Sequence, residues 1–271
     1  MRYRYTNSMS KPTAKKPLYL LADSHLFFWQ VSNSRFITSL RKSIGMGTSS
    51  VTKAAYIGAS NGDDPVFFDL FLAAMDNIDT HISRMIRSDF PSDDRAFLTA
   101  ADMIILTGGT FSEGWNIIRA TGMHQIIVEK YYSGATILGI SAGALQLGMG
   151  AIVPDENENF IDTLKLIPHY ISTREENDDW KLLKRAMMKT GAYSKGFGIP
   201  AGGGMIYHPD HSIEPLRHGL YEFSRGAGEE GTLLGNILLP TDKDSSNQEP
   251  EQLRQLGTSN FDKTKLVNDG E

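Results

Sequence analysis

The stretch from Gly134 to Gly148 constrains this chain more than any other. It reads Gly-Ala-Thr-Ile-Leu-Gly-Ile-Ser-Ala-Gly-Ala-Leu-Gln-Leu-Gly. An apolar run rich in β-branched residues, Ala135 to Ile140, stops at Ser141, and small residues then lead into a helical pattern. A buried strand that turns sharply into a helix has this pattern. Such a turn holds its apex residue in a strained conformation, and bulky neighbours would clash with the adjoining strand and helix. Gly139, Ala142, Gly143 and Ala144 provide the room. The turn lifts Oγ of Ser141 above the sheet at the start of a helix, where backbone N–H groups can stabilise an oxyanion. A glycine turn required by packing alone would use the same residues.

Composition narrows the chemistry. With 271 residues the chain is long enough for one large α/β domain or two small ones. Hydrophobic content of 40% and charged content of 22% are ordinary for a globular protein. A net charge of −5 with no basic face argues against a nucleic-acid partner. There is no cysteine, which excludes disulfides, thiolate metal sites and a cysteine nucleophile, leaving serine as the candidate. No apolar run approaches the roughly 20 residues of a membrane span. Leu18 to Val31 is interrupted by Asp23, Ser24, His25 and Gln30, unlike a signal-peptide core. The expectation is a cytoplasmic protein without membrane partners.

Strands alternate with helices along the chain. Residues 1–16 read as a disordered arm, 17–240 as a single α/β domain and 241–271 as a disordered polar tail. Leu18 to Ala22, Val51 to Ala59 and His81 to Ile86 read as strands. Pro65 starts a helix whose Phe67, Phe68, Leu70, Phe71, Leu72 and Met75 form a broad apolar face. Ser92 to Ala100 is a short helix with a Ser92 N-cap. Asp102 to Thr110 is a buried strand running into Gly108-Gly109, and Ser112 to Tyr132 is a helix broken near Gly122. Further on, Ile161 to Ile167 reads as a strand ending at Pro168-His169-Tyr170, and Glu175 to Thr190 as a helix. Gly196 to Pro200 is a strand, and Met205 to His208, Gly219 to Ser224 and Leu233 to Leu238 are short antiparallel strands. The fold class is α/β: a mostly parallel sheet sandwiched by helices, with a small antiparallel C-terminal extension. In such sheets functional groups gather at the carboxyl ends of strands.

A serine hydrolase needs a base, a group that orients the base, and oxyanion donors. Of seven histidines, His169 stands out, on a Pro-His-aromatic turn at a strand end downstream of Ser141. Thr107-Gly108-Gly109, Gly139-Ile-Ser-Ala-Gly-Ala144, Ile167-Pro-His-Tyr170 and Gly198-Ile-Pro-Ala-Gly202 follow in an order that resembles the serine-peptidase family of α-aspartyl dipeptidase (dipeptidase E) and cyanophycinase. The resemblance covers roughly Leu18 to Pro240. It implies the class I glutamine-amidotransferase-like fold, with serine in place of the amidotransferase cysteine. It also implies Ser141 as nucleophile, His169 as general base, and the N–H groups of Gly109 and Ala142 as oxyanion donors. Thr110 and Arg174 fall where the family contacts substrate, the arginine near an acidic side chain. The family needs no metal or other cofactor, and the histidines and aspartate of Tyr207-His208-Pro-Asp210-His211 read as a polar turn.

Two positions depart from the family. Ala201 stands where the family carries an acid that orients the histidine, and loss of a triad acid typically costs about 10⁴ in rate. Asp210 and Glu175 are the candidate replacements. Phe111 follows Thr110 where the family has a polar pair. The expected function is hydrolysis of an amide, peptide or isopeptide-like, in a small substrate through an acyl-enzyme on Ser141. Two alternatives stay open: a degenerate member that binds a peptide or metabolite without turnover, and acyl transfer on the same scaffold. Sequence leaves the oligomeric state open.

Overall fold

The computed structural model describes residues 14–28, 34–45, 51–76, 78, 81–153, 159–189, 193–226 and 233–240. Contacts group residues 1–241 as one unit and 242–271 as another, and the described residues all belong to the first. The expected tail, 241–271, lies outside the described residues, as does most of the expected arm. Of that arm, residues 14–16 are described, and Lys15 Nζ lies 4.5 Å from the centroid of the Tyr132 ring.

The central sheet has seven strands. Five are parallel: β1 (Leu18–Leu21), β2 (Thr52–Ile57), β3 (His81–Ile86), β4 (Met103–Leu106) and β5 (Thr136–Ile140). Helices join them. After α1 (His25–Phe28), α2 (Arg35–Ile44) leads to β2, α3 (Pro65–Asp76) to β3, α4 (Ser92–Ala100) to β4, and α5 (Phe111–Ala120) with α6 (Met123–Tyr132) to β5. Side chains alternate across each strand. Leu18, Leu20, Ile104, Leu106 and Ile137 therefore meet Trp115, Ile118 and Ile127 on one face. Tyr19, Leu21, Met103, Ile105 and Leu138 meet Phe36, Leu40, Phe71 and Met75 on the other. Both faces are covered, as a parallel sheet requires. Burying a side chain such as Phe36 or Met75 contributes about 1.5–3 kcal/mol.

After β5 comes the short helix α7 (Ala142–Leu147), then a two-stranded ribbon of β6 (Gly150–Ile152) and β7 (Phe160–Asp162). A second sheet follows, ordered β13-β12-β9-β8, from β8 (Tyr170–Thr173), β9 (Lys195–Ile199), β12 (Leu220–Arg225) and β13 (Leu233–Leu238). Helix α8 (Lys181–Lys189) connects its parallel pair, β8 and β9. The remaining strands, β10 (Gly204–Tyr207) and β11 (Ile213–Leu216), join the central sheet antiparallel, giving the order β11-β10-β1-β5-β4-β2-β3. The α/β class, the mostly parallel sheet and the antiparallel C-terminal strands all agree with the expectation from sequence.

Four local expectations change. Val66, Phe67 and Leu70 of α3 are exposed, and its buried residues are Phe71, Ala74 and Met75. Ser92 is the first residue of α4 rather than its cap. The cap position is Pro91, and Asp94 is buried within reach of Arg84 and Arg87. The helix expected from Glu175 begins at Lys181, because Asp179 and Trp180 both have left-handed φ and break it from a 3-10 turn at Glu176–Asp178. Lastly, the strand expected over Ile161–Ile167 ends at Asp162, and the next begins at Tyr170. His169 thus precedes a strand instead of ending one.

Candidate active site

Ser141 sits where the sequence puts it, on the turn between β5 and α7, with φ 50° and ψ −112°. A non-glycine residue with this backbone is strained and is held there by its surroundings. Its N–H donates to Leu21 O at 2.8 Å, at the end of β1. The small neighbours are required. A Cβ on Gly139 would come 2.5 Å from Gly143 O, and one on Gly143 would come 2.1 Å from Leu106 O. The Ser141 side chain does not cap its own helix. Oγ instead accepts a hydrogen bond from Arg174 Nη2 at 3.1 Å.

The paired glycines lie beside it. A Cβ on Gly108 would come 3.2 Å from Ser141 Cβ. Gly109 has φ +133°, and a Cβ there would come 1.9 Å from Ser60 O. Among the described residues, neither the Gly109 nor the Ala142 N–H donates to a backbone acceptor, so both remain available. The hydroxyl of Thr110, an exposed residue opening α5, likewise has no hydrogen bond among the described residues, while its N–H donates to Ser60 O at 2.7 Å.

Ser60 ties this turn to the nucleophile helix. Gln146, fully buried on α7, donates through Nε2 to Ser60 Oγ at 3.1 Å. A Cβ on Gly114 would come 2.1 Å from the same Oγ, so the glycine lets α5 close onto Ser60. Sequence reasoning missed this clamp. Its only signal was a glutamine inside an apolar helical pattern.

Arg174 is one residue past β8. Its N–H donates to Ile199 O at 3.0 Å and its φ is 59°. That left-handed turn at the strand end carries the side chain to Ser141. The expected reader of a substrate carboxylate therefore touches the candidate nucleophile itself.

His169 lies toward the other end of the strands, and three observations set it apart from Ser141 Oγ. It lies five residues before Arg174 across β8, a span of about 16 Å at roughly 3.3 Å per residue. Its ring packs edge-on against Phe197 at 5.2 Å and Tyr207 at 6.1 Å, and Tyr207 pairs with Leu18, the first residue of β1, whereas Ser141 bonds the last. Its carbonyl accepts from Met149 N, beyond the far end of α7. Burial, reinforced by Lys195, pushes its pKa down, and its buried Nδ1 has no well-formed hydrogen bond, with only a weak pull from Pro168. This is a packed, neutral imidazole.

The acid expected to serve His169 changes with it. Ala201 lies in the turn after β9, at the Ser141 end, exposed, with its N–H donating to Glu176 Oε1 at 3.1 Å. It does not face His169. Glu175 accepts from Ser172 Oγ at 2.6 Å and from the N–H groups of Leu182 and Leu183, fixing the start of α8. Asp210 accepts from Ser212 in the turn between β10 and β11. His208 and His211 of that turn bond Glu214 and Tyr207. Among the described residues no group of three or more His, Asp or Glu could hold a metal ion.

The Ser141 end holds other charged groups. Asp23, just past β1, accepts from Gly202 N at 2.7 Å and contacts His25 Nδ1 at 3.2 Å. His218 and Arg217 follow β11. Burial, then Arg217, lowers the pKa of His218 against the opposing pull of Asp23 and Glu176. One buried oxygen of Glu176, Oε2, has no hydrogen bond.

Comparison with known proteins gives the family and the fold. The profile of peptidase family S51 matches residues 31–212, well over half of the chain. A crystal structure of a peptidase from an acI-B1 Actinobacterium has the same fold, with a TM-score of 0.61 at 16% identity over 83% of this chain and 99% of its own. A putative peptidase E protein from Listeria monocytogenes EGD-e is similar, with a TM-score of 0.52 at 15% identity over 74% of this chain and 98% of its own. No curated protein sequence matches. Among the described residues no helix is long and apolar enough to cross a membrane. The chain belongs to peptidase family S51, the serine peptidases of the dipeptidase E and cyanophycinase type.

Proposed function

We propose that this chain is a dipeptidase-E-type hydrolase that cleaves an amide bond in a short peptide or isopeptide-like substrate through Ser141. The observation that carries this reading is the elbow: a strained serine whose Oγ is withheld from helix capping and lies beside a glycine turn with free N–H groups. Oγ attacks the carbonyl carbon and forms a C–O bond. The carbonyl electron pair moves onto oxygen, where the Gly109 and Ala142 N–H groups receive it. Collapse breaks the C–N bond and expels the amine, which takes up by way of solvent the proton that left Oγ; water then adds to the acyl carbon, the ester C–O bond breaks and Oγ regains a proton. Thr110, with its hydroxyl open beside the turn, contacts the substrate. The cytoplasmic setting rests on the sequence alone.

A second reading is favoured by one observation: the group on Ser141 Oγ is a guanidinium, which accepts no proton. A serine held by a donor, with no base bonded to it, suits a site that binds a carboxylate or carbonyl without turning it over. A fluorophosphonate probe separates the two readings. Ser141 should form a phosphonyl adduct, located by mass spectrometry and absent in Ser141→Ala. Folded wild-type protein that stays unlabelled at high probe concentration while binding small peptides would establish the second reading.

A further inference from the structure

We infer that Arg174 activates Ser141 by stabilising its alkoxide, in place of a histidine that takes its proton. The inference rests on the reading of Ser141 as a nucleophile. The Arg174 guanidinium is 3.1 Å from Oγ and, among the described residues, is the only hydrogen-bond partner of that oxygen. Arginine keeps its proton throughout the working range, so it donates and cannot act as a base. What it supplies is a fixed positive charge. An opposite charge within about 4–6 Å lowers the pKa of an acidic group, by roughly 1 unit at an exposed pair such as this, where solvent screens the charge.

Among the described residues no carboxylate pairs with Arg174, and most of those on adjoining elements accept hydrogen bonds from other groups. After β1, Asp23 is held by Gly202 N–H and His25. After β8, Glu175 is held by Ser172 and the start of α8, and Glu176 by Ala201 N–H. After β2, Asp63 accepts from Ser88 N–H at 2.7 Å. Glu113 lies in the first turn of α5. The other cations at this end are Arg217 and His218 after β11, and the burial that lowers the His218 pKa keeps it neutral at pH 7. The backbone is also set for the contact, since Arg174 takes a left-handed φ of 59° while its N–H anchors to Ile199 O.

The step balances without a protein base. The Oγ–H bond breaks, the proton passes to a solvent hydroxide to give water, and the electron pair stays on Oγ beside the guanidinium. The alkoxide then attacks. With a fluorophosphonate, an Oγ–P bond forms, the P–F bond breaks and fluoride leaves.

The test is the second-order rate of fluorophosphonate labelling of the full chain between pH 5 and 10. Wild type should show a rate that keeps rising with pH, with no inflection between 5.5 and 8. Arg174→Gln should lower it by up to about 10-fold across the range, as loss of roughly one pKa unit of alkoxide stabilisation requires. Arg174→Lys should recover part of the loss. Thermal melting of each variant checks that it folds. An inflection between pH 5.5 and 8 that disappears in His169→Gln or His218→Gln assigns the proton to an imidazole and overturns the inference, while Ser141 stands as the nucleophile. Equal rates for wild type and Arg174→Gln overturn it as well. Folded wild type that is unlabelled at every pH removes the nucleophile, and both readings fall together.

Discussion

The two ends of the central strands are furnished with similar residue types and put to different use. At the carboxyl end, Ser141, Gly109, Ala142 and Arg174 present hydrogen-bond donors outward from a rigid frame. At the amino end, His169 and Tyr207 are packed together with Phe197, and the Tyr207 hydroxyl is taken up by His211 at 2.6 Å. A titratable group becomes useful where the backbone around it has unspent donors and an open side. Surrounded by rings, the same imidazole is a filler. The difference comes from strand direction, because parallel strands all deliver their following loops to one end.

The sharpest way to break this comparison is to fill the frame at the carboxyl end. Gly109→Ala puts a methyl group 1.9 Å from Ser60 O on a residue with φ +133°, and no flexible side chain is there to yield. The expected cost is about 3 kcal/mol or more, read as a fall in melting temperature of roughly 6–12 °C, together with loss of Ser141 labelling. A stable Gly109→Ala protein that still labels would mean that the turn is not built around Ser60.

His169→Leu probes the opposite end with a smaller effect. Labelling of Ser141 should stay within about twofold, because the imidazole does not reach Oγ. Stability should change in its pH dependence. His169 has a pKa lowered in the folded state, so the unfolded chain binds the proton more readily. Its contribution is fully present above the unfolded value of about 6.5 and is lost as pH falls through the folded value. Wild type should therefore lose melting temperature below about pH 6.5, and His169→Leu should flatten part of that slope. His218, whose pKa burial also lowers, contributes in the same direction. An undiminished slope in the variant would show that His169 is solvated rather than packed.

Arg174→Gly should produce the smallest shift and one of opposite sign. Glycine relieves the left-handed backbone at φ 59°, worth about 1 kcal/mol, so melting temperature should rise by roughly 2–4 °C while labelling falls. A variant that melts lower would mean that the side chain contributes more to the fold than its backbone costs.

The elbow was legible because its constraint is local. A strand, a serine and a helix in immediate succession leave little choice of backbone, and Gly139 and Gly143 are small because the strand and helix they join touch each other. The Gly108-Gly109 turn, the five parallel strands and the break at Gly122 were legible for the same reason: β-branched runs, glycines and helical periodicity act within a few residues. The register around His169 was not. Leu164, Leu166 and Ile167 are apolar and resemble a strand, yet they pack as irregular chain, with Leu164 N–H and Ile167 N–H spent on carbonyls of α7. The ladder starts only at Tyr170. A shift of one strand moved the expected base from one end of the sheet to the other.

The amino-acid sequence by itself determined the α/β class, the nucleophile turn and the residues that must be small, because sterics between neighbours in the chain decide those. Only the tertiary structure decided which side chain meets Ser141 Oγ. Arg174 lies 33 residues away from it, Ser60 lies 86 from Gln146, and Gly202 lies 179 from Asp23. Contacts over such separations depend on strand order and register, and those are settled by how the whole core packs rather than by any short stretch of chain.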